Sequence, residues 1–525
     1  MFKKLILYPF LFILDVLLIP LSVNLDQIDP AQAWRPLLVL LALSALVLGL
    51  LRLALGDWHY AGYLVFLLLV FQFVFGHLWR SIQGHVPSPT VSQLVLLGAW
   101  AILLVLLGLP RTWKRLGAGE RVTPLLNLVM GGLVLFPIVR FLPNLLRQTA
   151  PVTHGSARLE LAGEEAELVI DCGQRPDIYF IIVDAYGRAD VLKEYYGVDN
   201  ATFLQSLREK GFYVAEAAHT NYIQTVFSVP AALDMEFIEP NPPDVRGSEY
   251  FTQLVANNKI TRLLDECGYL TVAFETGFSF TNSSIVDLYL ASGTRLTELE
   301  DLALADTPAG LLADSLHLVK QAQGYPAHRE RVLFAFEQLG KMAGKPGPKF
   351  VFAHILSPHP PFVFDAAGQP IEPARNYTVK DGDDYRGSPQ EYVQGYAGQV
   401  AFVNRMLEKT IDEILSKSKT PPIIIIQGDH GPGANLDWES PAGSCLAERS
   451  AILNAYYLPG AAPGLLYPEI TPVNSFRVVL NEYFGTELEL LPDITFFTSH
   501  RLPRQVIDIN DERDSAANCV PFSRE

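Results

Sequence analysis

Acidic side chains are scarce in the first 150 residues, which hold 5 Asp+Glu against 11 Lys+Arg, a balance of +6. The whole chain of 525 residues carries −16, so residues 151–525 carry −22. Such an acidic remainder excludes nucleic acid as a partner. It also means that an anionic substrate must be held by local features such as a metal, because the overall field repels it. Cysteine is scarce too. Cys172, Cys267, Cys445 and Cys519 are the only four, none precedes residue 172, and their spacing is not that of a cysteine zinc module. There is no internal repeat and no low-complexity tract, which excludes a solenoid and a long disordered tail.

What the first 150 residues do contain is long apolar runs. Five stretches of about 18–21 residues are each long enough to cross ~30 Å of hydrocarbon as a helix. They are approximately Leu5–Val23, Pro36–Leu55, Ala61–Trp79, Ser92–Leu109 and Val122–Leu142. Lys3 and Lys4 precede the first, and Arg111, Lys114, Arg115 and Arg121 lie between the fourth and fifth. The positive-inside rule places both clusters in the cytoplasm, so five crossings put everything after Leu142 outside. No small-x-small cleavage site follows Pro20, so the first run reads as an anchor and not a removable leader. Asp15 lies mid-span, where an ionisable group is costly and draws attention as a functional residue. All four cysteines fall on the expected outer side, where two disulfides in any of three pairings are allowed.

The soluble part alternates short apolar runs with helix-like stretches. The runs are Ile178–Val183, FYVAEAAHT from Phe212, YLTVAFE (269–275), KFVFAHIL (349–356) and PIIIIQGDH (422–430). This βαβ rhythm predicts an α/β domain built on a largely parallel sheet between helices. The division expected is 1–143 for the five-helix membrane domain, 144–176 for a linker and 177–525 for the catalytic domain.

Ligands gather outside the carboxyl ends of parallel strands. Asp184 ends the first run, Asp429 and His430 end the last, and His354 with His359 lies at KFVFAHILSPHPPF. Two carboxylates and up to three imidazoles suit a divalent cation with mixed oxygen and nitrogen ligands. HTNYIQTVFSVPAALDM adds Thr225 and Ser228 before a helix start, where free amides favour an anion. Pro230 in a first helical turn would make Ser228 or Val229 the cap and leave Thr225 upstream, free to face the site.

These residues resemble the alkaline phosphatase and sulfatase superfamily, above all its membrane-embedded branch of lipoteichoic acid synthases and lipid A phosphoethanolamine transferases. The pattern T-x-x-S-V-P is met by Thr225 to Pro230, D-H-G by Asp429 to Gly431, and the family's H-x(4)-H-x-P region by His354 and His359. The run after D-H-G is matched by ERSAILNAYYLPG at 448–460.

The resemblance implies a nucleophilic Thr225 and a metal held by Asp184, Thr225, Asp429 and His430. That metal would be zinc or manganese, with magnesium a third choice. His354 and His359 would contact the transferred phosphate, and Arg188 is a further candidate contact. The activity implied is transfer of a phospho-alcohol group from a membrane phospholipid to an envelope glycan or lipid, at the plasma (inner) membrane with the catalytic domain periplasmic or extracellular. The alternatives are a membrane-anchored phosphoesterase or sulfoesterase and a non-catalytic anion-binding scaffold.

Three features depart from the family's patterns. The sulfatase motif C-x-P-S-R is absent, and CVPFSR at 519–524 stands at the C-terminus with no strand before it. No histidine follows D-H-G by about a dozen residues, which leaves a second metal open. The residues before Thr225, Asn221 to Gln224, differ from those of the lipid A enzymes, which leaves the donor open.

Overall fold

The computed structural model describes residues 5–23, 33–82, 89–116, 118–148, 168, 170–239, 247–282, 286–292, 298–304, 307–315, 324–373, 377, 385, 387–500 and 505–521. Lys3, Lys4, residues 24–32 and most of the expected 144–176 linker lie outside them. The chain divides into two compact units, Met1–Glu164 with Thr294–Ala322, and Glu165–Gly293 with Gln323–Glu525.

The first unit is helical. Three helices among the described residues are long and apolar enough to cross a membrane: Trp34–Leu55, Trp58–Trp79 and Arg121–Val139. The described apolar helices Tyr8–Ile19 and Gln93–Gly108, where the first and fourth crossings are expected, are shorter. Many leucines on these helices face outward, Leu53 at 83% and Leu128 at 75% exposure, as lipid-facing side chains do. The first helix takes its N-terminal cap from another element. Asn127 accepts from the amides of Leu7 and Tyr8 at 3.1 and 2.9 Å and donates to Leu5 O at 2.7 Å. That satisfies amides which a helix start leaves without intrahelical partners. Asp15 is buried, and its Oδ1 finds no hydrogen-bond partner among the described residues. One piece of the later sequence belongs to this unit. Glu298–Leu304 and Pro308–Ser315 are helices of the returning segment, and Arg35 pairs through Nε and Nη2 with the Glu300 carboxylate.

The second unit is built on a seven-stranded sheet in the order β2-β7-β6-β1-β5-β3-β4. Its strands are β1 Ile178–Val183, β2 Tyr213–Val214, β3 Leu270–Phe274, β4 Leu288–Leu290, β5 Lys349–Ile355, β6 Ile423–Gln427 and β7 Asn454–Tyr457. A separate hairpin pairs β8 Phe496–Thr498 with β9 Val506–Asp508. β1 is wholly buried and apolar because both its faces are covered. Tyr179, Ile181 and Val183 pack on the side of the helices Tyr325–Met342 and Pro389–Lys417. Ile178, Phe180 and Ile182 pack with Val229, Leu264 and Phe476, from the helices Thr225–Asp234, Lys259–Glu266 and Pro472–Phe484. The unit is therefore three-layered, as the alternation of strands and helices predicts.

The sheet departs from the expectation at one edge. β6 pairs with β7, and β7 with β2, in antiparallel fashion, so the sheet is mixed. The strand expected over FYVAEAAHT shrinks to two residues. Beyond Val214 the ladder stops after Ala215 N donates to Asn454 O at the start of β7, and Thr220 N donates to Ser450 O before that strand.

The cysteines pair as Cys172–Cys267 and Cys445–Cys519, closing separations of 95 and 74 residues. Cys519 of CVPFSR therefore has no free thiol to oxidise.

Candidate active site

Parallel pairing brings three strand ends together. β1 lies between β5 and β6, with Ile182 opposite His354 on one side and Gln427 on the other. Asp184 leaves the end of β1 and Asp429 the end of β6. Oxygens of both carboxylates and a ring nitrogen of His430 lie within 4.8 Å of one another, and all three residues are buried. His430 Nε2 is 3.3 Å from Asp429 Oδ2 and 3.7 Å from Asp184 Oδ1.

Close approach makes this loop glycine-bound. A Cβ on Gly428 would stand 2.5 Å from Tyr186 O, and one on Gly431 would stand 2.1 Å from Glu448 O.

His430 Nδ1 lies 3.0 Å from Gly431 O. A carbonyl only accepts, so Nδ1 carries the ring proton and Nε2 presents a lone pair. Burial, with Arg449 nearby, lowers the His430 pKa to about 4 against the pull of Asp429 and Asp184, so the ring is neutral at neutral pH. Asp184 is pushed up by burial, but His359, His354 and His430 outweigh that and hold it well below the usual carboxylate range. Asp184 Oδ1 and Asp429 Oδ2 find no hydrogen-bond partner among the described residues. Two buried carboxylate oxygens without hydrogen-bond donors among the described residues thus stand beside the Nε2 lone pair of His430. Such an arrangement is costly unless a cation fills it. The donor set, two hard oxygens and one imidazole, fits a divalent metal ion.

Thr225 completes the cluster, but from a different place on its helix than the sequence suggests. The helix Thr225–Asp234 begins at Thr225 itself, after Gln224 in extended conformation, and Pro230 lies inside it. Gln224 O accepts from the amides of Phe227 and Ser228 at 3.1 and 3.0 Å, so the helix is under way well before the proline. Thr225 Oγ1 reaches His430 Nε2 at 3.1 Å, donating to its lone pair. Ser228, one turn on, is no cap. Its hydroxyl and that of Thr220 both donate to Asp429 O, at 2.6 and 2.5 Å, tying the segment around Thr225 to the loop of Asp429 and His430.

His354 Nε2 lies 3.2 Å from Asp184 Oδ2, with its Nδ1 held 2.7 Å from Thr281 Oγ1. His359 donates its backbone amide to Asp184 O at 3.1 Å, and its ring centroid is 6.3 Å from that of His430. Arg188 points elsewhere. It pairs with Asp190 at 2.8 Å and reaches Ala218 O at 3.2 Å and His219 Nε2 at 3.3 Å. Its side chain makes no contact with Asp184, Thr225, Asp429 or His430 in these bonds.

Several supporting residues have no motif of their own. Arg449 donates to Ile223 O and Gly431 O at 2.9 Å each, joining the turn before Thr225 to the loop after His430. Glu448, fully buried, accepts from the amides of Ala434 and Asn435. The legible signal was Ser228: threonine and serine three apart share a helix face.

A family model for sulfatases matches residues 176–476. The chain belongs to the sulfatase family. Its second unit carries the family's alkaline-phosphatase-like domain, and the chain is an enzyme of phosphoryl or sulfuryl ester transfer or hydrolysis. The family is metal-dependent, and Asp184, Asp429 and His430 form a buried group able to hold an ion. Among curated proteins none matches the chain in sequence. Solved structures similar to it include the C-terminal periplasmic domain of EptC from Escherichia coli in complex with zinc. That match has 10% identity and a TM-score of 0.43, over 67% of this chain and 98% of that one. Another is the periplasmic domain of phosphoethanolamine transferase EptC from Campylobacter jejuni, at 9% identity and TM-score 0.35, over 59% and 89%. A third is phosphonate monoester hydrolase of Agrobacterium radiobacter, at 13% and 0.39, over 62% and 80%.

Proposed function

We propose that this sulfatase-family enzyme moves a phospho-alcohol head group from a membrane phospholipid to a hydroxyl of an envelope glycan or lipid. The observation that supports this most is the Thr225 hydroxyl at the amino end of its helix, 3.1 Å from His430 Nε2 and beside two buried carboxylate oxygens that have no hydrogen-bond partner among the described residues. Asp184, Asp429, His430 and Thr225 would hold one divalent cation, zinc or manganese ahead of magnesium. When bound, that ion supplies the positive charge that lets a hydroxyl ionise near neutral pH and draws a phosphate in.

Thr225 Oγ1 bonds the donor phosphorus as the bond from phosphorus to the diacylglycerol oxygen breaks. The threonine gives up its proton and the departing oxygen takes one up. In the second displacement the acceptor hydroxyl bonds the same phosphorus and loses its proton. The threonine oxygen leaves and is reprotonated. The amides of Thr225 and Val226, at the very start of the helix, would face the phosphate oxygens. His354 and His359, set by Thr281 and by the Asp184 carbonyl, steady those oxygens or carry the proton.

The apolar helices anchor the enzyme in the plasma membrane, with the N-terminus inside and the catalytic domain outside. Two disulfides agree with an outer compartment. Thr225→Ala, assayed in membranes by mass spectrometry of lipid and glycan extracts, should abolish head-group transfer. Normal transfer by that variant would overturn the mechanism, and free phospho-alcohol in place of a modified acceptor would make the enzyme a hydrolase.

A further inference from the structure

The helix Pro389–Lys417 carries Tyr392, Tyr396 and Gln399 at spacings of four and three, which places them on one face. All three are buried. Each hydrogen-bonds a different loop of the site. Tyr396 OH donates to Ala185 O at 2.7 Å and accepts from Gly187 N at 3.1 Å, gripping the turn that follows Asp184. Tyr392 OH accepts from Gly433 N at 3.1 Å, in the loop that follows His430. Gln399 donates to Pro358 O and His359 O at 3.1 and 3.2 Å and accepts from Val363 N at 2.8 Å, in the loop after β5. The loops after three adjacent strands are thus read by consecutive turns of one helix.

A second element reinforces it. Tyr196, the last residue of the helix Ala189–Tyr196, packs its ring 4.5 Å from that of Tyr396. Its hydroxyl donates to Glu448, whose carboxylate accepts from the amides of Ala434 and Asn435, both at 3.2 Å. Tyr392 and Tyr396 are themselves stacked, 6.3 Å apart. A rigid aromatic body therefore holds both loops that carry metal ligands.

Ala185 shows what that grip resists. Its φ is +61°, in the left-handed region, where a residue with a Cβ is strained. Its amide donates to Asp429 Oδ1 at 3.0 Å, and its carbonyl is the one Tyr396 holds. This residue joins the two loops directly and directs Asp429 Oδ2 toward Asp184 and His430. Two carboxylates drawn together without a cation repel each other, so something must hold them at that separation.

We infer that Tyr392 and Tyr396, braced by Tyr196, are positioning residues that preset the Asp184–Asp429 spacing before the metal arrives. This rests on the metal-site reading above. The purified full chain, stripped with chelator, is titrated with Zn²⁺ and with Mn²⁺, and unfolding of the metal-free protein is followed in parallel. Tyr396→Phe and Tyr392→Phe should weaken metal affinity about 10–100-fold. Tyr456→Phe is the control. It removes a buried hydroxyl bonded to Ser475 Oγ at 2.8 Å on the other face of the sheet, and should bind like the parent. Parent-like affinity in both Tyr392 and Tyr396 variants would overturn the inference while leaving the metal site standing. Equal losses in all three, tracking lowered metal-free stability, would overturn it as general loosening. A parent protein that binds neither ion would overturn the metal reading and the clamp together.

Discussion

The two units use apolar residues in opposite ways. Leu53 and Leu128 of the helical unit are mostly exposed, whereas Ile423, Ile424, Ile425 and Ile426 of β6 are wholly buried. Both stretches read simply as apolar in sequence. The difference lies in length and in what ends the run. The helical runs reach about 18–21 residues, enough to cross a bilayer, while the four isoleucines of β6 are followed at once by Gln427, Gly428, Asp429 and His430. A buried carboxylate likewise differs in meaning between the units. Asp15 has an orphaned oxygen by itself, while Asp184 and Asp429 place theirs beside one another and beside His430.

The contrast is sharpened most by a substitution in the core. Ile425→Asp places an uncompensated charge between two covered faces and should cost on the order of 5 kcal/mol or more. Limited proteolysis should then find the sheet unit unfolded while the apolar helices stay in the membrane fraction. Next comes cross-linking, which belongs to the sheet unit alone. Cys445→Ser should remove about 2–5 kcal/mol, read as a lowered unfolding midpoint, and reductant should do the same to the parent.

A pH effect of similar or smaller size falls on His219. Burial first, with Arg188 and Arg513 alongside, lowers its pKa from 6.5 to about 4 against the pull of Asp514. The unfolded chain takes up this proton more readily than the folded one. The contribution is therefore complete above about pH 6.5, falls as pH drops toward 4, and changes no further below that. Its size is about 3 kcal/mol at most. His219→Asn should flatten that limb of a stability–pH curve. Smallest of all, Leu128→Ala on the lipid-facing side should stay within ~0.5 kcal/mol in detergent thermal unfolding. A loss as large as a core truncation would mean that Leu128 packs against protein.

How much of this was legible in the sequence depended on whether local chemistry decided the outcome. Ile178–Val183, Lys349–Ile355 and Ile423–Gln427 were readable as strands because each is an apolar run closed by an acidic residue or a turn. The meeting of Asp184, Asp429 and His430 followed from strands that end at one edge. β4 was not readable, being three residues long, and the antiparallel edge was not readable because strand direction is set by partners remote in sequence. The proline at 230 suggested a helix start that the backbone had already made at Thr225. Tyr392 and Tyr396 read as ordinary core, since no pattern in a helix reveals which distant loop a hydroxyl will reach. Arg188 shows the reverse case: four residues from Asp184 along the chain, it turns to Asp190 and His219.

Metal content tests the central claim most directly. The parent chain and Asp429→Asn, purified identically in chelator-treated buffer and reloaded with Zn²⁺ or Mn²⁺, would be compared by elemental mass spectrometry after desalting. One tightly held ion per parent chain, lost in the variant while its metal-free unfolding midpoint is retained, is the result predicted. Equal metal in both proteins, or none in the parent, would contradict it.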